Sequence, residues 1–189
     1  MTLNGTPLSL FDALPPRCEY YPVLIPDQNG QEEISALYEV MVNQVGVKQS
    51  QLTKMPHISI DGVTCPENDE KVLESIKAFL VTQNPILIDF TGVSYFPGRG
   101  GITLTLGIQN PVPVLEFNKL FMSAIQGKIT KLKLHLTLAR YVNSEHFERM
   151  KQPDIIYPKS CICQSVAVLK KRVGEKGAYV NIGVIQFGL

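Results

Sequence analysis

Apolar residues recur along the chain with two different periods, and the switches between them outline the elements. Residues 20–25 are β-prone and stop at Pro26 and an Asp27-Gln28-Asn29-Gly30 turn signal. Ile34, Leu37, Tyr38, Met41, Val42 and Val45 then share one face of a helix that ends near Gly46. Alternation over 57–63 predicts a strand, and Val72, Ile76, Phe79 and Leu80 predict a second helix over 67–83, stopped by Pro85. Strands follow at 86–90 and 102–108, with Tyr95-Phe96-Pro97-Gly98-Arg99-Gly100-Gly101 read as a turn-rich connection. A third helix is predicted over 112–126 on Phe117, Leu120, Phe121, Ala124 and Ile125. A strand over 132–139 and a short helix over 144–150, with Ser144 as its N-cap, come next. The last two strands, 162–173 and 178–186, meet at a Gly174-Glu175-Lys176-Gly177 hairpin turn. The first nineteen residues, with Pro7, Pro15 and Pro16, read as an irregular arm.

The two halves repeat one another. Each runs strand, long helix, histidine-containing strand, helix, strand, and the two histidines lie 78 residues apart, at positions 57 and 135. An internal duplication explains this economically. It predicts one domain over residues 1–189, built from two interwoven, pseudo-symmetric lobes. No glycine-rich dinucleotide loop follows a strand, which argues against a doubly wound sheet.

Both histidine strands carry a hydroxyl residue two places on: His57-Ile58-Ser59-Ile60 and His135-Leu136-Thr137-Leu138. In a strand, residues i and i+2 share a face about 6.6 Å apart. His57 and Ser59 therefore point one way while Ile58 and Ile60 point into the core, and His135 and Thr137 do the same against Leu136 and Leu138. Ser and Thr make up 20 of 189 residues, so two of three histidines carrying such a hydroxyl by chance is a roughly 3% event. Two imidazoles facing one cleft can act as general base and general acid near neutral pH. Two short hydroxyls can hold the non-bridging oxygens of a phosphate between them. The pattern therefore points to a phosphodiester substrate. Lys131 and Lys133 fall on the same strand face as His135 and are candidate phosphate contacts. Tyr95, Phe96, Tyr141 and Tyr179 are candidates to stack a base. Arg99 is a further candidate phosphate contact. His146, with Glu148 at i+2 on a surface helix, reads as non-catalytic.

Composition narrows the field. With 44% hydrophobic and 19% charged residues, the chain is globular rather than collagen-like, disordered or membrane-spanning. Its N-terminus lacks the basic flank and apolar stretch of a signal peptide, so a cytoplasmic protein is expected; a monomer is expected as well. The net charge of +1 conceals −7 over residues 1–94 and +8 over 95–189. The basic half could attract phosphates, or the two halves could pair with each other. Cys18 and Cys65 stand alone, and Cys161-Ile162-Cys163 is too tight for a zinc knuckle, so four reduced thiols and no metal or other cofactor are expected.

With these motifs the sequence resembles the two-histidine (2H) phosphoesterase superfamily over residues 20–189. His57-Ile58-Ser59-Ile60 is similar to the family's first motif and His135-Leu136-Thr137-Leu138 to its second. Arg140 is similar to an arginine often found five residues after the second histidine. The resemblance implies a bilobal α+β fold, with an antiparallel sheet from each lobe lining a central cleft and helices outside. It also implies metal-independent cleavage of 2′,3′-cyclic ends or 2′,5′ linkages, with RNA ends, short oligonucleotides or cyclic nucleotides as substrate. Cyclic oligonucleotide signals, or binding without turnover in the same cleft, are the alternatives.

Overall fold

A computed structural model describes residues 15–98 and 100–188; Arg99 and most of the N-terminal arm lie outside them. Eight strands and four helices alternate: β1 (Arg17–Pro26), α1 (Gln28–Val40), β2 (Ile58–Ser59), β3 (Val63–Pro66), α2 (Asp69–Leu80), β4 (Ile86–Gly98), β5 (Gly101–Ile108), α3 (Val112–Ala124), β6 (His135–Val142), α4 (Ser144–Met150), β7 (Ser160–Arg172) and β8 (Val180–Gln186). The strands form one antiparallel sheet of order β3-β1-β2-β6-β5-β4-β7-β8. An additional β1–β7 pairing joins both halves, so the ladders β1-β2-β6-β5-β4-β7 run in a closed circuit. The α+β class is as expected, and the strands of both halves share one hydrogen-bonded sheet.

Several boundaries differ from the sequence reading for identifiable reasons. Residues 17–19 belong to β1 rather than to an arm, because they pair with both β3 and β7. Asp27 is not a turn residue but the N-cap of α1, its carboxylate accepting from the Gly30 backbone N–H. Ile34, Leu37, Met41 and Val45 are all buried, and the helix closes through a π turn, Met41–Val45, onto Gly46 at φ +87°. On α3, Leu120 is exposed and Asn118 is buried, because Asn118 has a buried carboxylate to meet. Asn143, not Ser144, caps α4, accepting from the His146 N–H. The strand expected over 57–63 is split into β2 and β3. Along β1, Val23 and Tyr20 are three residues apart, while their partners Ser59 and Val63 are four apart. The extra residue bulges the strand at 60–62.

Gly62 lies in that bulge, where an added Cβ would come within 2.4 Å of the Tyr20 carbonyl oxygen. Gly62→Ala should therefore cost about 1–3 kcal/mol, as overpacking against rigid backbone does. A urea melt measures it, with the midpoint falling at unchanged slope.

The charged halves meet at β7. Lys170 bridges Glu67 and Asp69 from the N-terminal half, Arg172 reaches Glu67, and Lys171 lies over the Tyr179 ring near Glu19. These cations are neutralised within the fold rather than presented as a path for phosphates. The four cysteines are free, although Cys18 and Cys65 are direct cross-strand partners rather than isolated residues. No helix among the described residues is long and apolar enough to cross a membrane.

Candidate active site

The two histidine segments are joined by a single backbone pairing, Ile58 with Leu136. Continuing that antiparallel register one residue either way sets His57 opposite Thr137 and Ser59 opposite His135. All four side chains then share one face, with the imidazoles on one diagonal and the hydroxyls on the other. Neighbours on such a diagonal are about 7–8 Å apart. Beneath them Ile58 and Leu136 are fully buried, each worth about 1.5–3 kcal/mol of apolar burial. A one-residue slip would turn the imidazoles into the core, so the apolar underside fixes the polar face.

Each ring is held in the same way. His57 Nδ1 is 2.7 Å from the Met55 carbonyl oxygen, and His135 Nδ1 is 2.7 Å from the Lys133 carbonyl oxygen. A carbonyl only accepts, so each Nδ1 carries the proton and each Nε2 is left free for chemistry. Burial lowers the His57 pKa below the ordinary imidazole value, and the positive charges of Arg140 and His135 lower it further against the opposing effect of the Met55 carbonyl. Neutral His57 is thus ready to accept a proton.

The other predicted positions divide. Lys131 and Lys133 precede β6 instead of lying on it, both exposed, and Lys133 serves the site through its carbonyl. Arg140 does reach the site face, although simple alternation puts it on the other. Between Leu104↔Ala139 and Thr105↔Thr137, β6 carries one residue more than β5, and this bulge re-phases the strand. Arg140 is consequently close enough for its charge to act on His57.

Tyr95 is not at the site. β4 continues as a strand through the expected connection, and Tyr95 pairs with buried Leu104 and packs on Phe147 of α4, with centroids 4.5 Å apart. The adjacent Phe96 takes the site side, its ring 4.7 Å from that of His135 and inclined at 63°. Tyr141 is strongly exposed at the end of β6, in a left-handed conformation with φ +58°. Tyr179 stands at the margin of the site face. Its ring centroid lies 5.9 Å from that of Tyr21, the planes tilted by 37°. Tyr21 is two residues along β1 from Val23, the partner of Ser59, and the Tyr179 hydroxyl donates to Glu19. That hydrogen bond, with burial and the Glu19 charge, pushes the Tyr179 pKa up to about 12. His146 lies on α4, away from the pair, half-buried against Gly46 rather than on the surface.

One residue near the site left no trace in the sequence pattern. Asp61, 5% exposed in the β2–β3 bulge, accepts from the Asn118 amide at 2.8 Å, from the Thr130 backbone N–H at 3.0 Å and from the Thr130 hydroxyl. Its own N–H donates to the Asn118 side-chain oxygen at 2.9 Å. Burial would raise its pKa, but the Thr130 and Asn118 donors outweigh it and hold the carboxyl below the usual range. Asp61 thereby ties the end of the first histidine strand to the loop that delivers the second. Among the described residues, no group of three or more His, Cys, Asp or Glu side chains comes together as a metal site.

The model of the 2′-5′ RNA ligase superfamily matches residues 26–175, which contain both histidine strands. No curated protein matches the sequence. Escherichia coli LigT complexed with NADP+ has the same fold at a TM-score of 0.60 and 12% identity, over 93% of this chain and 99% of that one. TT0787 of Thermus thermophilus gives 0.57 and 14%, over 89% and 97%. A phosphoesterase gives 0.55 and 13%, over 93% and 99%. With the family pattern spanning most of the chain, and two histidine–hydroxyl pairs set side by side within it, the protein belongs to the 2′-5′ RNA ligase superfamily of two-histidine phosphoesterases.

Proposed function

We propose that the protein is a metal-independent phosphodiesterase that opens 2′,3′-cyclic phosphate ends or cleaves 2′,5′-linked oligonucleotides by two-histidine acid–base catalysis. The observation that supports this reading is the Ile58–Leu136 pairing, which brings the two histidine strands side by side while each Nδ1 proton is engaged by a backbone carbonyl and each Nε2 is left for substrate. Neutral His57 accepts the proton of the attacking water or ribose hydroxyl. His135, protonated at Nε2, returns a proton to the departing oxygen on the other side of the phosphorus. Ser59 and Thr137, on the crossing diagonal, donate to the non-bridging oxygens as charge builds there. Arg140 adds a positive charge beyond the reacting group, and Phe96 offers a flat apolar wall beside His135 for the attached nucleoside. Nucleotide-sized ligands fit this reading, since LigT of the same fold has been obtained with ATP, NADP+ and 3′-AMP.

The test is a panel of 2′,3′-cyclic nucleotides, 2′,5′- and 3′,5′-linked oligomers and cyclic dinucleotides, incubated in EDTA with products identified by mass. Cleavage of the first two classes without added metal is expected. Turnover restricted to cyclic dinucleotides would move the assignment to signal hydrolysis, and binding with no turnover across the panel would make the chain a nucleotide-binding module.

A further inference from the structure

Thr105 sits in the middle of β5, fully buried, and its hydroxyl has no hydrogen-bond partner among the described residues. Folded proteins rarely leave a sealed hydroxyl in that state, because the lost hydration goes unreplaced. Its place in the sheet supplies a reason. Thr105 is the direct cross-strand partner of Thr137, while Leu104 and Leu106 on either side point into the core. Thr105 and Thr137 therefore lie side by side on the site face, and Ser94 of β4 follows Thr105 in the same row. Cross-strand threonines, with Cβ atoms about 4.5–5.5 Å apart, can exchange a hydrogen bond once a rotamer allows it.

We propose that Thr105 is a positioning residue that acts through Thr137. Phosphate oxygens only accept, so a Thr137 hydroxyl holding phosphate must donate its proton to the substrate. Its oxygen then has free lone pairs facing Thr105. The Thr105 hydroxyl, otherwise idle, turns to donate to that oxygen, completing a Thr105→Thr137→phosphate relay. Each bond in such a chain polarises the next, which strengthens the contact to phosphate as negative charge grows in the transition state. The orphaned hydroxyl costs stability in the resting protein and gains its partner only when phosphate is bound. This inference rests on the reading of the cleft as a phosphodiesterase site.

Thr105→Val tests it, because the side chain keeps its shape and loses only the hydroxyl. The melting temperature should rise, since an unsatisfied group has been removed, while kcat on the best panel substrate falls roughly five- to tenfold, the worth of one modest hydrogen bond, with KM little changed. Thr105→Ser should restore kcat despite its missing methyl group, and it keeps the test open if the valine variant folds poorly. In a Thr137→Val background, Thr105→Val should have no further effect on kcat, because the relay already lacks its middle member. A stabilised Thr105→Val protein with wild-type kcat would overturn the relay and leave the histidine assignment untouched. If His57→Ala also kept full turnover, the phosphodiesterase reading itself would fail.

Discussion

Alanine at His57 or at His135 should lower turnover by at least ~100-fold while leaving the fold intact, the usual contribution of a positioned acid or base being 10²- to 10⁴-fold. The fold should survive because neither ring is part of the core: Ile58 and Leu136 support the face from below, and the hydrogen bond that each imidazole makes among the described residues runs from Nδ1 to a backbone carbonyl. The pH profile separates the two roles. Burial and two positive neighbours depress the His57 pKa, so the limb of kcat/KM on which activity falls with acidification should lie below the ordinary imidazole value of about 6.5. The same depression has a stability sign. Between the folded and unfolded pKa values the unfolded chain binds more protons at His57, so this contribution to stability weakens as pH drops below about 6.5. The His57→Ala protein should lose both the kinetic limb and that slope. Near-normal kcat in either alanine variant, or an acid limb above 6.5, would contradict the assignment.

Asp61→Ala should be the most damaging substitution outside the histidine pair. It strands an amide, a backbone N–H and a hydroxyl in a site that is 5% exposed, at about 1–3 kcal/mol for each unsatisfied donor. A total near 3 kcal/mol corresponds to a melting temperature lower by roughly 6–12 °C in a chain of this size. Activity should fall further than stability alone explains. Thr130 anchors the loop that ends at the Lys133 carbonyl, and that carbonyl sets the His135 ring. Gly62→Ala, destabilising in the same bulge but leaving the carboxylate in place, is the control: at equal loss of stability it should retain more kcat. The depressed Asp61 pKa also fixes a pH sign. Its contribution is complete above the unfolded value of about 3.9 and is lost as pH falls through the lower folded value. Urea midpoints measured from pH 6 down to pH 2 should show that loss in the wild type and a flatter profile in Asp61→Asn.

What could be read from the chain depended on periodicity. The two His-x-Ser/Thr pairs were visible because a strand has period two and places i and i+2 together however its ends are drawn. Sharing one face across the Ile58–Leu136 pairing was not visible, since register is a tertiary property. Bulges account for most of the remaining differences. The extra residue in β6 returns Arg140 to the site, and the one at 60–62 cuts a predicted strand in two and seats Asp61. Pro97 and Gly98 make Tyr95 and Phe96 read as part of a turn, with no alternation to tell them apart, whereas β4 runs on through them at the end of a hairpin and sends the two rings to opposite faces. Asp61 and Thr105 had no signal at all. A lone carboxylate and a strand threonine are ordinary residues until the fold shows what each faces.

The β1–β7 ladder bears on how the protein is made. One flank of β1 is completed only when Ala167 arrives beside Val23, and at about 5–20 residues per second a ribosome needs on the order of ten seconds to deliver the second after the first. Over that interval the opening strand waits with one side unclaimed, and closing so long a loop is slow by comparison with helix formation. Nascent chains stalled before position 160 should accordingly be the form of this protein most prone to clump and most in need of a chaperone.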